Sequence, residues 1–242
     1  MTSILITGAS SGIGRATAEL FLKDGWTVGL VARRAAPLAE LADAHENAIP
    51  LVADVTDPDA ISHAVDQFAH QAGHLDVLFN NAGIFTPAGT IDEIPVEDWL
   101  QAVDVNLTGM FLAARAAFRV MRHQTPQGGR IINNGSISAY VPRPGSVSYT
   151  ATKHGITGLT KTISLDGRPF DIACSQIDIG NALTPMVQDL NDRAIAQGLE
   201  PQPSMDVAHA ADSVLHIAKM PLSANVQFMT VMATKMPYIG RG

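Results

Sequence analysis

The sequence predicts an α/β protein built on a doubly wound, mainly parallel sheet. Short apolar runs alternate with longer amphipathic segments over most of the 242 residues, the pattern of strands joined by crossover helices. The first apolar run enters an amphipathic helix through a glycine-rich turn, giving the order strand, turn, helix at the start of the chain. No linker, repeat or tether divides the sequence, so residues 1–242 are expected to form one domain.

Taken in order, Ser3-Ile4-Leu5-Ile6-Thr7 is the first strand, and a helix follows over 12–24. The run Thr27 to Ala32 gives the second strand, with a helix over 36–45, and 48–53 the third, with a helix over 58–72. The short strand 77–80 precedes a long helical stretch over 96–122. Strands over 129–134, 171–177 and 226–231 complete a set of about seven, separated by helices over 148–166, 184–197 and 206–218. Each intervening helix supports a right-handed crossover. The irregular stretch 184–205, rich in Met, Leu, Gln, Asn and Pro, lies between the last two strands and reads either as a substrate lid or as a solvent-facing excursion.

Composition narrows the function classes. Apolar residues make up 46% of the chain against 16% charged, which excludes a disordered chain. A net charge of −7 with no run of Lys or Arg argues against a non-specific binder of nucleic acid or anionic membrane. Cys174 stands alone, so neither an intrachain disulfide nor a cysteine zinc site can form, and a buried small hydrophobe is its ordinary reading. The first residues lack the pattern of a signal peptide, and no window approaches the ~18 uninterrupted apolar residues a membrane helix needs. A soluble, cytoplasmic protein is the resulting expectation.

The turn Gly8-Ala9-Ser10-Ser11-Gly12-Ile13-Gly14-Arg15 suits a dinucleotide. Glycine permits close backbone approach to a pyrophosphate, and the free N–H groups at the following helix start favour an anion. Gly8, Ser10, Ser11, Gly12, Ile13 and Gly14 are the candidate contacts, in a Gly-x-x-x-Gly-x-Gly spacing that differs from the commonest fingerprint. At the end of the second strand, where a ribose-binding acid is expected, stand Ala32, Arg33 and Arg34. Guanidinium groups there suit a 2′-phosphate and lean toward NADP over NAD, with Arg15 as a further cation, unless the arginines form a solvated surface pair.

Tyr149 and Lys153 fall at i, i+4 on one face of a predicted helix. A free phenol has a pKa near ~10, and a nearby ammonium together with an oxidised nicotinamide ring favours phenolate, making a tunable proton donor and acceptor. Ser136 ends a strand thirteen positions earlier and brings a hydroxyl to the same crevice, with Ser138 as a nearby rival. Thr7-Gly8-x-x-x-Gly12-x-Gly14, Asn80-Asn81-Ala82-Gly83, Asn106, Ser136 and Tyr149-x-x-x-Lys153, in this order, resemble the short-chain dehydrogenase/reductase family over nearly the whole chain.

That resemblance implies a Rossmann-type sheet of seven strands and a nicotinamide cofactor. It makes Tyr149 the general acid/base, Lys153 the residue that lowers its pKa and binds the nicotinamide ribose, Ser136 the orienting hydroxyl, and Asn106 the holder of a relay water. Asp54 and Val55 match an adenine-contacting pair; Asn80, Ala82 and Gly83 support the adenosine side; Gly180, Ala182 and Thr184 keep the register of the loop over nicotinamide and pyrophosphate. Departures are Ile179-Gly180 where many members have Pro-Gly, Asn134-Gly135 in place of the more usual Ile-Ser before Ser136, and a compact crossing at 166–171. Family members also tend to oligomerise through the helices carrying Asn106 and Tyr149, so a dimer or tetramer is expected, although plain core packing explains Ala113, Ala114, Ala116 and Ala117 equally well.

His63, His70 and His74 recur at helical spacing beside Asp66, Gln67 and Gln71, which reads as a solvated face, and no metal is expected. The functional expectation is an NADP(H)-dependent oxidoreductase interconverting a small-molecule carbonyl and its alcohol. An NAD-preferring dehydrogenase and a non-catalytic dinucleotide sensor or scaffold are the alternatives.

Overall fold

The computed structural model describes residues 2–196 and 198–239. Nine strands run as β1 (Ser3–Thr7), β2 (Thr27–Ala32), β3 (Ala48–Val52), β4 (Val77–Asn80), β5 (Gly129–Asn134), β6 (Ile172–Gly180), β7 (Ala182–Leu183), β8 (Met205–Asp206) and β9 (Phe228–Met232). Between them lie α1 (Gly12–Lys23), α2 (Ala35–Ala44), α3 (Pro58–Ala72), α4 (Val96–Val103), α5 (Gly109–His123), α6 (Val147–Gly167), α7 (Pro185–Ala196) and α8 (Val207–Lys219).

Seven strands form one sheet in the order β3-β2-β1-β4-β5-β6-β9, every neighbouring pair parallel. The period-2 alternation of β1 explains its two-sided cover. Ile4 and Ile6 pack with Phe21 of α1, Leu38 of α2 and Val214 of α8, while Leu5 points to Phe68 of α3 and Ala117 of α5. The chain's direction of winding changes between β1 and β4, which opens a crevice at their C-terminal ends.

Local chemistry sets the element ends. Asp57 caps α3 by accepting from the Asp59 and Ala60 N–H groups, both at 3.0 Å, Pro58 occupies its first turn, and Gly73 closes it in the left-handed region. The four alanines of α5 are buried in the chain's own core, where their small size lets α3 and the sheet approach.

Three expectations change. The helix expected over 96–122 is two helices separated by a π-type turn at Asp104–Thr108, because Asn106 in its middle turns inward to bind backbone. The sixth strand extends beyond 177 to Gly180, since β9 continues to pair with it as far as Gly180↔Met232. A two-stranded ladder of β7 and β8, absent from the expected set, ties the start of the irregular segment to its end. No described helix is long and apolar enough to cross a membrane.

Candidate active site

A cavity of about 510 Å3 lies over the C-terminal ends of the central strands. It runs from the glycine turn to a group of polar side chains at the ends of β5 and α6.

Gly8, Ser10, Ser11, Gly12 and Ile13 line one end of it. Gly8 sits at φ +70°, and a Cβ there would meet Ala82 Cα and Asn81 Nδ2 at 3.0 Å. Gly14 does not line the cavity but serves packing, because a Cβ would fall 2.3 Å from the Gly8 carbonyl oxygen. Ser11 caps α1 without a side-chain hydrogen bond, which leaves the N–H groups of the first turn without a side-chain partner at the cavity. A backbone cradle that admits no side chain, at an uncapped helix start, fits a pyrophosphate.

Arg33, Arg34, Asp54 and Val55 line the outer part of this end. Arg33 stands 3.9 Å from Asp54 and remains largely exposed, while Arg34 donates to Ser10 Oγ at 3.2 Å. Arg15 is placed otherwise than expected. Its guanidinium is held by Glu19 at 2.9 Å and Glu40 at 2.8 Å, and these carboxylates push its pKa further up, so it is an ion-paired surface group outside the cavity.

Beneath the cavity floor, the buried Thr7 hydroxyl accepts from the Asn81 and Ala82 N–H groups at 2.9 and 3.0 Å, and Asn81 Nδ2 donates to the Thr7 carbonyl. Ala82 and Gly83 reach the cavity, whereas Asn80 lies below it, donating to the Met110 carbonyl at 2.7 Å and to Asn133. Asn106 is fully buried and clamps Ile84 at both backbone groups, accepting its N–H at 2.7 Å and donating to its C=O at 3.0 Å. The π-type turn thus fixes the loop after β4 through a side chain that itself stays out of the cavity.

Ser136, Tyr149 and Lys153 converge at the other end. Tyr149 opens α6 against Phe85, ring centroids 4.2 Å apart, and Lys153 Nζ lies 5.5 Å from the Tyr149 ring. Lys153 is buried and donates to the Asn134 carbonyl at 2.8 Å; burial pulls its pKa down to about 8. Burial pushes the Tyr149 phenol up, opposed by the Ser136 hydroxyl and the Arg143 charge, so the phenol carries its proton at neutral pH. Ser138 also lines the cavity, and its N–H donates to Ser136 Oγ at 3.1 Å.

Asp178 is the residue the sequence reading passed over. It lies buried in β6 behind Ser136, whose N–H donates to Asp178 Oδ1 at 2.8 Å, as does Gln176 Nε2. Desolvation pushes this carboxyl up, and its Oδ2 is buried with no partner among the described residues. Gly135 makes room for it, because a Cβ there would lie 2.1 Å from Asp178 Oδ1. An acid near the crevice end of a buried strand, facing a glycine in the neighbouring strand's exit, was the available signal.

Gly180, Ala182 and Thr184 line the roof together with Met186, Val187 and Leu190 of α7. Thr184 lies beside the glycine turn, with Cγ2 at 3.3 Å from the position of a Gly12 Cβ. Asn181 Nδ2 holds the Pro203 carbonyl at 3.0 Å, which fastens the return of this segment. Among the described residues no group of three His, Cys, Asp or Glu side chains is arranged to hold a metal; His74 faces Asp76 and the Pro126 carbonyl.

The short chain dehydrogenase family model matches residues 2–194. A 3β-hydroxysteroid dehydrogenase of Mediterraneibacter gnavus is 34% identical over 209 residues, covering 82% of this chain and 75% of that protein. Two solved structures superpose closely. A 3-ketoacyl-(acyl-carrier-protein) reductase from Brucella melitensis complexed with NADH has a TM-score of 0.85 at 25% identity, covering 96% of this chain and 97% of the other. A variant of actinorhodin polyketide ketoreductase with NADPH has a TM-score of 0.86 at 26% identity, covering 96% of both chains. This chain belongs to the short-chain dehydrogenase/reductase family. It is an oxidoreductase acting on alcohol and carbonyl groups.

Proposed function

We propose that the protein is an NADP(H)-dependent carbonyl reductase and alcohol dehydrogenase with Tyr149 as its acid and base. The observation that carries this reading is the convergence of Ser136, Tyr149 and Lys153 at the end of the cavity opposite the glycine turn. Gly8, Ser10, Ser11, Gly12 and Ile13 would hold the pyrophosphate, Asp54 and Val55 the adenine side, Arg33 and Arg34 the 2′-phosphate, and Gly180, Ala182 and Thr184 the nicotinamide half. Arg33 supports NADP because it is mostly exposed and its nearest carboxylate is 3.9 Å away. When bound, the nicotinamide ring supplies or accepts the hydride.

The chain's own residues manage the proton. In reduction Tyr149 gives its phenolic proton to the substrate oxygen, which the Ser136 hydroxyl orients. Lys153, poised near neutrality by burial, stabilises the phenolate left behind and supports its reprotonation. In oxidation the same phenolate removes the alcohol proton. Asn106 enters as the residue that fixes the loop above the reacting group through Ile84.

The segment 184–205 acts in this reading as a lid, its ends joined by β7 and β8 and its apolar side chains Met186 and Leu190 facing the cavity. Self-association is part of the proposal, supported by the exposed Trp99, Leu100 and Phe111 on α4 and α5. Tyr149→Phe tests the core of it. Nicotinamide absorbance with a panel of ketones and alcohols should fall at least ~1,000-fold while NADP+ binding changes little; near-normal turnover would overturn the assignment.

A further inference from the structure

Among the described residues, four cations line the cavity and only one carboxylate, Asp54, although the chain as a whole carries a net charge of −7. Three of the four have polar partners: Arg33 faces Asp54, Arg34 donates to Ser10, and Lys153 donates to the Asn134 carbonyl. Arg143 is different. Among the described residues its guanidinium makes neither a hydrogen bond nor an ion pair, yet its backbone is closely constrained. It stands between Pro142 and Pro144, and its carbonyl accepts from Ser146 Oγ at 2.7 Å.

The direction of Arg143 is informative. Its Cζ lies 6.0 Å from the centre of the Phe85 ring, the outer limit of a cation–π contact, and that ring stacks on Tyr149. Its charge is felt at the Tyr149 phenol, placing it at the reaction end of the cavity and away from the adenosine end. Met186, Val187 and Leu190 give the same cavity apolar lining. A charged fork of five donors, fixed at its backbone in a cavity that also has apolar lining, is complementary to a molecule with an apolar body and an oxyanion at its end.

Resting on the oxidoreductase reading above, we propose that the physiological substrate is a small carbonyl or alcohol compound that also bears a carboxylate or similar oxyanion, and that Arg143 is the residue that binds this group. The anchor then fixes which end of the substrate lies under Tyr149, so recognition and orientation come from one contact. Neutral ketones lack this anchor.

The test is calorimetric and independent of turnover. Cyclohexanecarboxylate, cyclohexanesulfonate and cyclohexanecarboxamide are titrated into protein saturated with NADP+, and into cofactor-free protein, after NADP+ binding has itself been measured. The wild type is expected to favour at least one of the two acids over the amide by ~10-fold or more, and Arg143→Gln to abolish that preference with a loss of roughly 10- to 100-fold for the acid and no change in melting temperature. Arg143→Lys should keep part of the preference, because it retains charge without the fork. Equal binding of acid and amide, no measurable binding of either acid, or a preference that survives Arg143→Gln overturns the proposal. Failure of NADP+ to bind overturns the NADP(H) reading instead, while the titration of cofactor-free protein still reads the role of Arg143.

Discussion

Gly135→Ala asks whether a buried carboxylate holds Ser136 in place. The glycine has no positive φ, so alanine is allowed by the backbone and the cost is steric. The new Cβ would lie 2.1 Å from Asp178 Oδ1 and 2.7 Å from Gln176 Nε2. Gln176 can swing aside, but Asp178 must move by roughly 1 Å to reach ordinary contact, which breaks its 2.8 Å bond from the Ser136 N–H. Overpacking costs about 1–3 kcal/mol and loss of a buried hydrogen bond to a carboxyl about 1.5–3 kcal/mol, giving about 3–5 kcal/mol together. At about 2–4 °C per kcal/mol for a chain of this size, the melting temperature should fall by on the order of 10 °C.

Asp178→Ala removes the obstacle, so the double variant should be more stable than the sum of the single losses predicts by at least ~1.5 kcal/mol. Thermal melts of the four proteins measure this coupling. Additive losses, or a Gly135→Ala melting temperature equal to the wild type, would refute the packing argument.

Arg33→Asp should weaken NADP+ by roughly 10- to 100-fold and NAD+ by much less, read by fluorescence titration of both dinucleotides. Lys153→Met should abolish turnover and yet raise the melting temperature of the cofactor-free protein at pH 7. The wild-type ammonium, held at about 8 against an ordinary 10.5, opposes folding by about 3 kcal/mol below that pH. Between pH 8 and 10.5 the unfolded chain holds a proton that the folded lysine has released, so wild-type stability rises and the gap to the variant should narrow; a constant gap would refute the assignment. Arg130→Met should destabilise by about 1–3 kcal/mol, seen as a lower melting temperature, because the neutral acceptors around the guanidinium lose their partner.

The sheet was legible because strands buried on both faces leave continuous apolar runs, as in β1 and β2. The glycine turn and the Tyr149–Lys153 spacing were legible because both are local: one turn and one helix face carry the whole geometry. What escaped was long-range. Asp178 and Ser136 are 42 positions apart, and nothing in either neighbourhood announces their contact. Arg15 misled in the other direction. The Glu19 that captures it lies one helical turn away and was readable, but Glu40 reaches it only because α2 packs beside α1. The π-type turn at Asp104–Thr108 was hidden by residues of ordinary helical character, and the inward turn of Asn106 depends on the backbone of Ile84, 22 positions earlier.

Arg130 lies near the start of the interior strand β5, fully buried, with donors aimed at the Met220, Pro221 and Ala224 carbonyls and at Asn225. These acceptors are translated ninety residues after it. Without residues 220–225 the guanidinium would keep only Ser175 Oγ among its described hydrogen-bond partners, so the close fit around β5 depends on that segment. Loss of these acceptors would leave a buried positive charge short of partners, which makes residues 220–225 a polar clamp on β5.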